Sequence, residues 1–133
     1  MLRACAASIL LSVGTFWGVL SSLNSLFPSD FVARFVHATE CPSSQVVSAG
    51  FNEPSLVFVM GTDTVLTDGS GAANFLTLGP CRFAIVESHQ DRQFVRRAES
   101  LGLRYDKGPR FSGYSTGSGG RIVFTIYYSG RER

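Results

Sequence analysis

A chain of 133 residues has room for one domain. With 44% apolar residues, 17% charged residues and 11 phenylalanines, it is too apolar to be disordered and less charged than an average soluble surface. The net charge is only +2, but ten of the twelve basic side chains and five of the ten acidic ones lie in residues 82–133, so the second half is basic.

Residues 4–29 carry no charge. A helix needs about 20 residues to cross the hydrocarbon layer, and the densest apolar part lies within residues 5–20. Ser8, Ser12, Thr15, Ser21, Ser22 and Asn24 weaken the signal, but hydroxyls can bond back to helix carbonyls and so cost far less than charges. Gly14 and Gly18 have the G-x-x-x-G spacing of close helix contacts, a short and common pattern. Residues 1–28 are therefore expected to be a transmembrane anchor. A secretory signal and a buried core helix compete with this reading. A signal has an apolar stretch of about 7–15 residues and a small-x-small cleavage site, whereas this stretch is longer and has no clear site. The remaining hundred or so residues look able to make their own core. Arg3 precedes the span and Asp30 follows it, so the positive-inside bias places the rest of the chain outside the cytoplasm. The expected location is the inner (plasma) membrane, with one span and membrane lipid as partner.

Pro28-Ser29-Asp30 ends the span. Ser29 suits an N-cap, and Asp30 suits the positive end of a helix dipole. Phe31, Val32, Phe35 and Val36 recur at helical spacing. Residues 29–41 are expected to be a short amphipathic helix lying on the membrane surface, stopped at Cys41-Pro42.

Residues 42–133 are expected to be the extracytoplasmic α/β domain. Residues 45–49 suit a short strand. Residues 55–60 are apolar on both faces and suit a central one. A helix over 70–78 ends at Gly79-Pro80, and a strand follows over 82–86. These two strands, joined through a helix, should run parallel. Residues 91–101 form the clearest helix, with Phe94, Val95, Ala98 and Leu101 as its inner stripe and Gly102 as C-cap. Residues 103–105 suit a brief strand. Two β-rich runs, 111–114 and 121–128, flank a Gly/Ser turn over 115–120, which is a hairpin pattern. The fold class is thus α/β: one N-terminal transmembrane helix, then a small mixed-sheet domain ending in a β-hairpin.

Gly113-Tyr-Ser-Thr-Gly117 has the spacing of the nucleophile elbow, which lifts a serine above a sheet on a strand–turn–helix. Here a strand follows instead, and His37 and His89 both precede a serine that its base should follow. Ser115 therefore reads as a turn residue. The glycines at 117–120 have neither the Walker A nor the dinucleotide spacing. Asp63 and Asp68 flank a strand exit. As a carboxylate pair without histidine they suit turn capping better than a cation site. Glu53 stands between two apolar runs, placed either to cap a backbone amide or to pair with an arginine of the basic half. Cys41 and Cys81 both adjoin proline and would share the outer compartment, where a disulfide is permitted. Cys5 is the odd one. There is no convincing catalytic set and no metal-ligand cluster, and no cofactor is expected.

Two segments carry a resemblance. The first is Gly50-Phe-Asn-Glu-Pro-Ser-Leu-Val-Phe-Val-Met-Gly-Thr-Asp-Thr64. The second is Phe111-Ser-Gly-Tyr-Ser-Thr-Gly-Ser-Gly-Gly-Arg-Ile-Val-Phe-Thr-Ile-Tyr127. Together they resemble the C-terminal region of bacterial polytopic glycosyltransferases of the dolichyl-phosphate-mannose protein mannosyltransferase and aminoarabinose transferase type. The resemblance implies a small periplasmic α/β domain after a last membrane helix. It also implies a link to sugar transfer from a polyprenyl-phosphate carrier. In that family the acidic catalytic residues lie in the first extracytoplasmic loop of a much longer chain, so none carries over. The implied role is accessory: packing on a polytopic glycosyltransferase bundle, or holding the acceptor or the polyprenyl-phosphate sugar. The candidate binding residues are Glu53, Ser55, Asp63 and Tyr114, and nucleic acid is not an expected partner. The basic side chains after Cys81 can face anionic head groups or a carrier phosphate, each worth about 1 kcal/mol near an anionic surface. The alternative is a membrane-anchored interaction or structural module with no role in sugar transfer.

Overall fold

The computed structural model describes residues 1–22, 28–41, 44–61, 63–115 and 117–129. Helix α1 spans Leu2–Ser22, and its Leu2–Leu20 window is long and apolar enough to cross a membrane. None of that window is buried against the rest of the protein, so α1 is not a core helix. Ser12 Oγ donates to the Ser8 carbonyl at 2.8 Å and Thr15 Oγ1 to the Leu11 carbonyl at 2.6 Å. Those hydroxyls are thereby satisfied inside the helix, as a bilayer demands.

The rest alternates helices and strands: α2 (Pro28–Ala38), β1 (Gln45–Ala49), α3 (Pro54–Met60), β2 (Val65–Thr67), α4 (Gly69–Leu76), β3 (Arg82–Glu87), α5 (Asp91–Leu101), β4 (Tyr105–Tyr114) and β5 (Arg121–Ser129). The five strands form one mixed sheet in the order β2-β1-β3-β5-β4. β1 runs parallel to β2 and β3, while β5 runs antiparallel to β3 and to its hairpin partner β4.

Side chains alternate across a strand, so the sheet has two apolar faces. Val46, Phe83, Ile85, Ile122, Phe124 and Ile126 share one cluster with Val32 and Val36 of α2 and Leu56 of α3. Val47, Ala84, Val86 and Tyr127 share the other with Ala72, Ala73 and Leu76 of α4 and with Phe94 and Ala98 of α5. The small residues on the α4 side let the two helices lie close. A Cβ on Gly69 would come within 2.5 Å of the Gln90 carbonyl oxygen and 2.8 Å of the Phe94 amide nitrogen.

Two expectations change. Residues 55–60 form helix α3 and not a central strand; the strand parallel to β3 is β1. Pro54 at the first helical position favours a helix start, and an apolar run without alternation fits either state. The sheet also contains β2, a three-residue edge strand paired to β1. The second change concerns α2. Its stripe residues Val32 and Val36 are buried against the sheet, so this helix completes the domain core and does not rest its apolar face on lipid. Ser29 lies inside α2 and not at its N-cap, while Asp30 keeps its place in the first turn.

Cys41 and Cys81 form a disulfide with Cα atoms 5.8 Å apart. It ties the end of α2 to the start of β3. Cys5 is free and exposed.

β4 is the long edge strand. Its register against β5 shifts between Lys107 and Arg110, around Gly108 and Pro109. Proline has no amide hydrogen and suits such an edge. Gly108 leaves room for the Phe35 ring, whose Cζ would lie 3.0 Å from a Cβ there.

Tyr127 is buried, and its hydroxyl donates to the Asp91 carboxylate at the start of α5. Burial first, and then that bond and the carboxylate charge, push the phenol well above its ordinary pKa of 10. A raised folded pKa means that the contribution to stability is complete below the unfolded value and fades as pH climbs through the folded one. Stability should therefore fall above about pH 10, by at most about 1.4 kcal/mol per pH unit for one proton. Urea titrations between pH 8 and 11 should show this fall in the parent and a flatter profile in Tyr127→Phe. Identical slopes would exclude Tyr127 as the cause.

Candidate functional site

The two motif segments meet at one carboxylate. Glu53 closes the loop between β1 and α3 and occupies the N-cap position of α3, with extended backbone. Its side chain does not cap that helix. It turns toward the β4–β5 turn and is only 7% exposed. There Ser115 Oγ donates to Glu53 Oε1, and the Gly117 amide donates to the same oxygen at 3.4 Å. Ser55 Oγ, one helical position into α3, donates to Oε2 at 3.3 Å.

Ser55 connects onward. Its oxygen lies 2.9 Å from Ser29 Oγ in the first turn of α2. The single Ser55 hydroxyl proton is directed at Glu53 Oε2, so Ser29 must donate to Ser55. The order of donors is Ser29 to Ser55 to Glu53, with Ser115 donating from the other side. Ser29 is 3% exposed, so a side chain near the start of the domain is sealed into the same network. Among the described residues, no buried side-chain nitrogen or oxygen lacks a hydrogen-bond partner.

Ser115 is the hub of the turn. Its amide donates to the Gly120 carbonyl at 2.8 Å, and its carbonyl accepts from the Gly119 amide at 2.9 Å. Its Oγ also accepts from the Ser118 amide at 3.3 Å. Gly119 has φ 69°, a left-handed conformation that glycine adopts without penalty. Glu53 supplies the acceptor for the Ser115 hydroxyl and the Gly117 amide of this turn. Strand β5, not a helix, follows the turn, and the serine's partner is a carboxylate instead of an imidazole. The geometry is that of a latch, not of a nucleophile elbow.

The other candidate residues lie apart from this network. Asp63 is exposed in the loop between α3 and β2, and Tyr114 is 55% exposed at the end of β4. Asp68 caps α4, accepting from the Gly71 amide at 2.8 Å. His37 is exposed, and His89 pairs with Glu87 at 3.1 Å. A shallow groove along α5 is lined by Arg92, Arg96 and Arg97 together with Ser70 and His89, on the sheet face opposite α2 and α3.

Reading the sequence missed two things: that Ser29 joins the latch, and that Ser115 meets Glu53. One signal pointed to the second. A lone acidic residue between apolar runs needs donors, and a Gly/Ser turn elsewhere in the chain is a ready source.

The chain matches no known family description, no curated protein and no solved structure.

Removing the carboxylate leaves several donors unpaired under a closed turn. Glu53→Ala is expected to cost about 2 kcal/mol, within the usual range for stranded buried polar groups. Amide exchange in residues 117–120 should accelerate, while exchange in α5 stays as it was. Unchanged exchange in the turn would show that the latch does not hold it.

Proposed function

We propose that this chain is a membrane-anchored accessory domain outside the cytoplasm, similar to the C-terminal domain of glycosyltransferases that use polyprenyl-phosphate-linked sugars. It carries no catalytic residue of that reaction. Its role is to pack on a polytopic catalytic bundle and to help hold the acceptor or the lipid-linked sugar there.

The observation that supports this most is the meeting of the two motif segments at Glu53. They lie about sixty residues apart, yet they share a buried carboxylate and its donors. The residues that carry the resemblance thus lie side by side in the fold. Glu53, Ser55 and Ser115 act in it as architecture: they fix the hairpin tip and the start of α3 against α2.

Two further features agree with the location. An apolar helix precedes the domain, and Arg3 at its start favours the cytoplasmic side. The Cys41–Cys81 disulfide suits the oxidising side of an inner (plasma) membrane.

The test is purification of the full-length chain from membranes in mild detergent, with transfer from a polyprenyl-phosphate sugar as the readout. A co-purifying polytopic membrane protein whose transfer activity falls when the chain is deleted supports the proposal. A monodisperse chain with no such partner, and membranes whose transfer activity is unchanged by the deletion, would favour the plain interaction module.

A further inference from the structure

Helix α3 is built unlike the other helices of the domain. Of its seven residues, only Leu56 is buried. Phe58 is 91% exposed and Val59 45% exposed, and both are large and apolar. No residue from Pro54 to Gly61 is charged. Pro54, Val57, Phe58 and Gly61 line an open apolar groove. The next strand, β2, adds Val65 and Leu66, each about half exposed. Soluble surfaces rarely gather such side chains without a partner.

The chain itself limits where this surface can go. From Ser22 at the end of α1 to Pro28 at the start of α2 there are six Cα–Cα steps, which reach at most roughly 20 Å when fully extended. Ser29 in the first turn of α2 is hydrogen-bonded to Ser55 in the first turn of α3. The start of α3 is therefore held beside the point where the domain leaves its tether. The arginines of α5 lie on the other face of the sheet. A membrane that holds α1 has the uncharged α3 within reach, and an uncharged apolar surface suits the acyl boundary of the interface.

We propose that α3 is a membrane foot: Phe58 and Val59 insert into the interfacial region of the leaflet from which the domain emerges. The occupant of the groove is lipid. This rests on α1 spanning the bilayer and is independent of any part in sugar transfer. It gives the domain a second attachment to the bilayer besides α1. The Glu53 latch holds α3 in position for that contact.

The experiment uses the full chain in phosphatidylcholine vesicles whose lipids carry bromine in the upper acyl chain, a short-range quencher of indole emission. Trp17 in the parent chain reports on α1. Phe58→Trp in a Trp17→Phe background reports on the foot, and Glu99→Trp in the same background reports on the far side of the domain. A side chain held about 5–10 Å into the boundary should lose roughly half of its emission, with a blue-shifted maximum. The proposal expects quenching of Trp17 and of the Phe58→Trp probe, with none at Glu99→Trp. Quenching of Trp17 without quenching at Phe58→Trp would overturn it and leave a protein surface as the occupant. Absence of quenching at Trp17 would remove the anchor and overturn it as well. These vesicles contain no enzyme partner, so neither outcome depends on the glycosyltransferase reading.

Discussion

Cys41→Ser is expected to lower the stability of the domain by about 4 kcal/mol. The bond closes a loop with a sequence separation of 40 residues, and the loss of chain entropy for a loop of that length gives about that figure. At roughly 4–8 °C per kcal/mol for a domain of this size, the melting temperature should fall by some 15–30 °C. Cys81→Ser should give the same loss, and the double variant no more than either single one, because all three remove one crosslink. Cys81 also has φ 56°, an uncommon value for a residue other than glycine, in a place the crosslink helps to fix. Calorimetry of the detergent-solubilised chain with and without reductant checks the effect. Reductant should lower the parent's transition to that of the variants and leave theirs unmoved. A parent transition that ignores reductant would show that the crosslink contributes nothing. A non-reducing mass measurement on protein taken from cells adds a compartment test, since such bonds persist where the environment is oxidising.

Phe124→Ala is expected to cost about 4 kcal/mol. Phe124 is fully buried at the centre of β5. Its ring lies 5.1 Å from that of Phe111, 5.2 Å from Phe51 and 6.4 Å from Phe31. Truncation would empty a space walled by α2, β4 and the β1–α3 loop. These elements cannot all collapse inward, because the disulfide and the Glu53 latch hold two of them. Phe58→Ala removes the same side chain from an exposed site and should change the stability of the domain by less than about 0.5 kcal/mol. Urea titration of both variants is the comparison. Similar losses for the two would contradict the burial that separates them.

How much of this was legible depended on local chemistry. α5 was readable because Phe94, Val95, Ala98 and Leu101 share a face, and Gly102 does end it in a left-handed turn at φ 62°. The hairpin was readable because β-branched and aromatic runs flank a Gly/Ser turn. α3 was misread because Leu56 to Met60 has neither period, and its single buried residue leaves no stripe to find. β2 escaped because three residues with exposed side chains carry almost no pattern. The latch was half legible. Glu53 reads from the sequence either as a cap for a backbone amide or as the partner of an arginine, and the Gly117 amide is one of its donors. That Ser29 and Ser115 join it is a long-range fact, set by where α2 and the hairpin pack on the sheet.

The irregular stretch of β4 has a consequence for crowding. Proteins held in a bilayer share two dimensions, and their effective concentration is high. A straight, unprotected edge strand would invite neighbouring copies to zip together into continuous ribbons. Here the outer rim of the sheet is broken where Lys107 and Arg110 bracket Gly108 and Pro109, so the spacing of its amides is spoiled and like charges repel across any docking copy. If α1 anchors the chain as proposed, this edge would give a neighbouring copy in the same membrane little to zip onto.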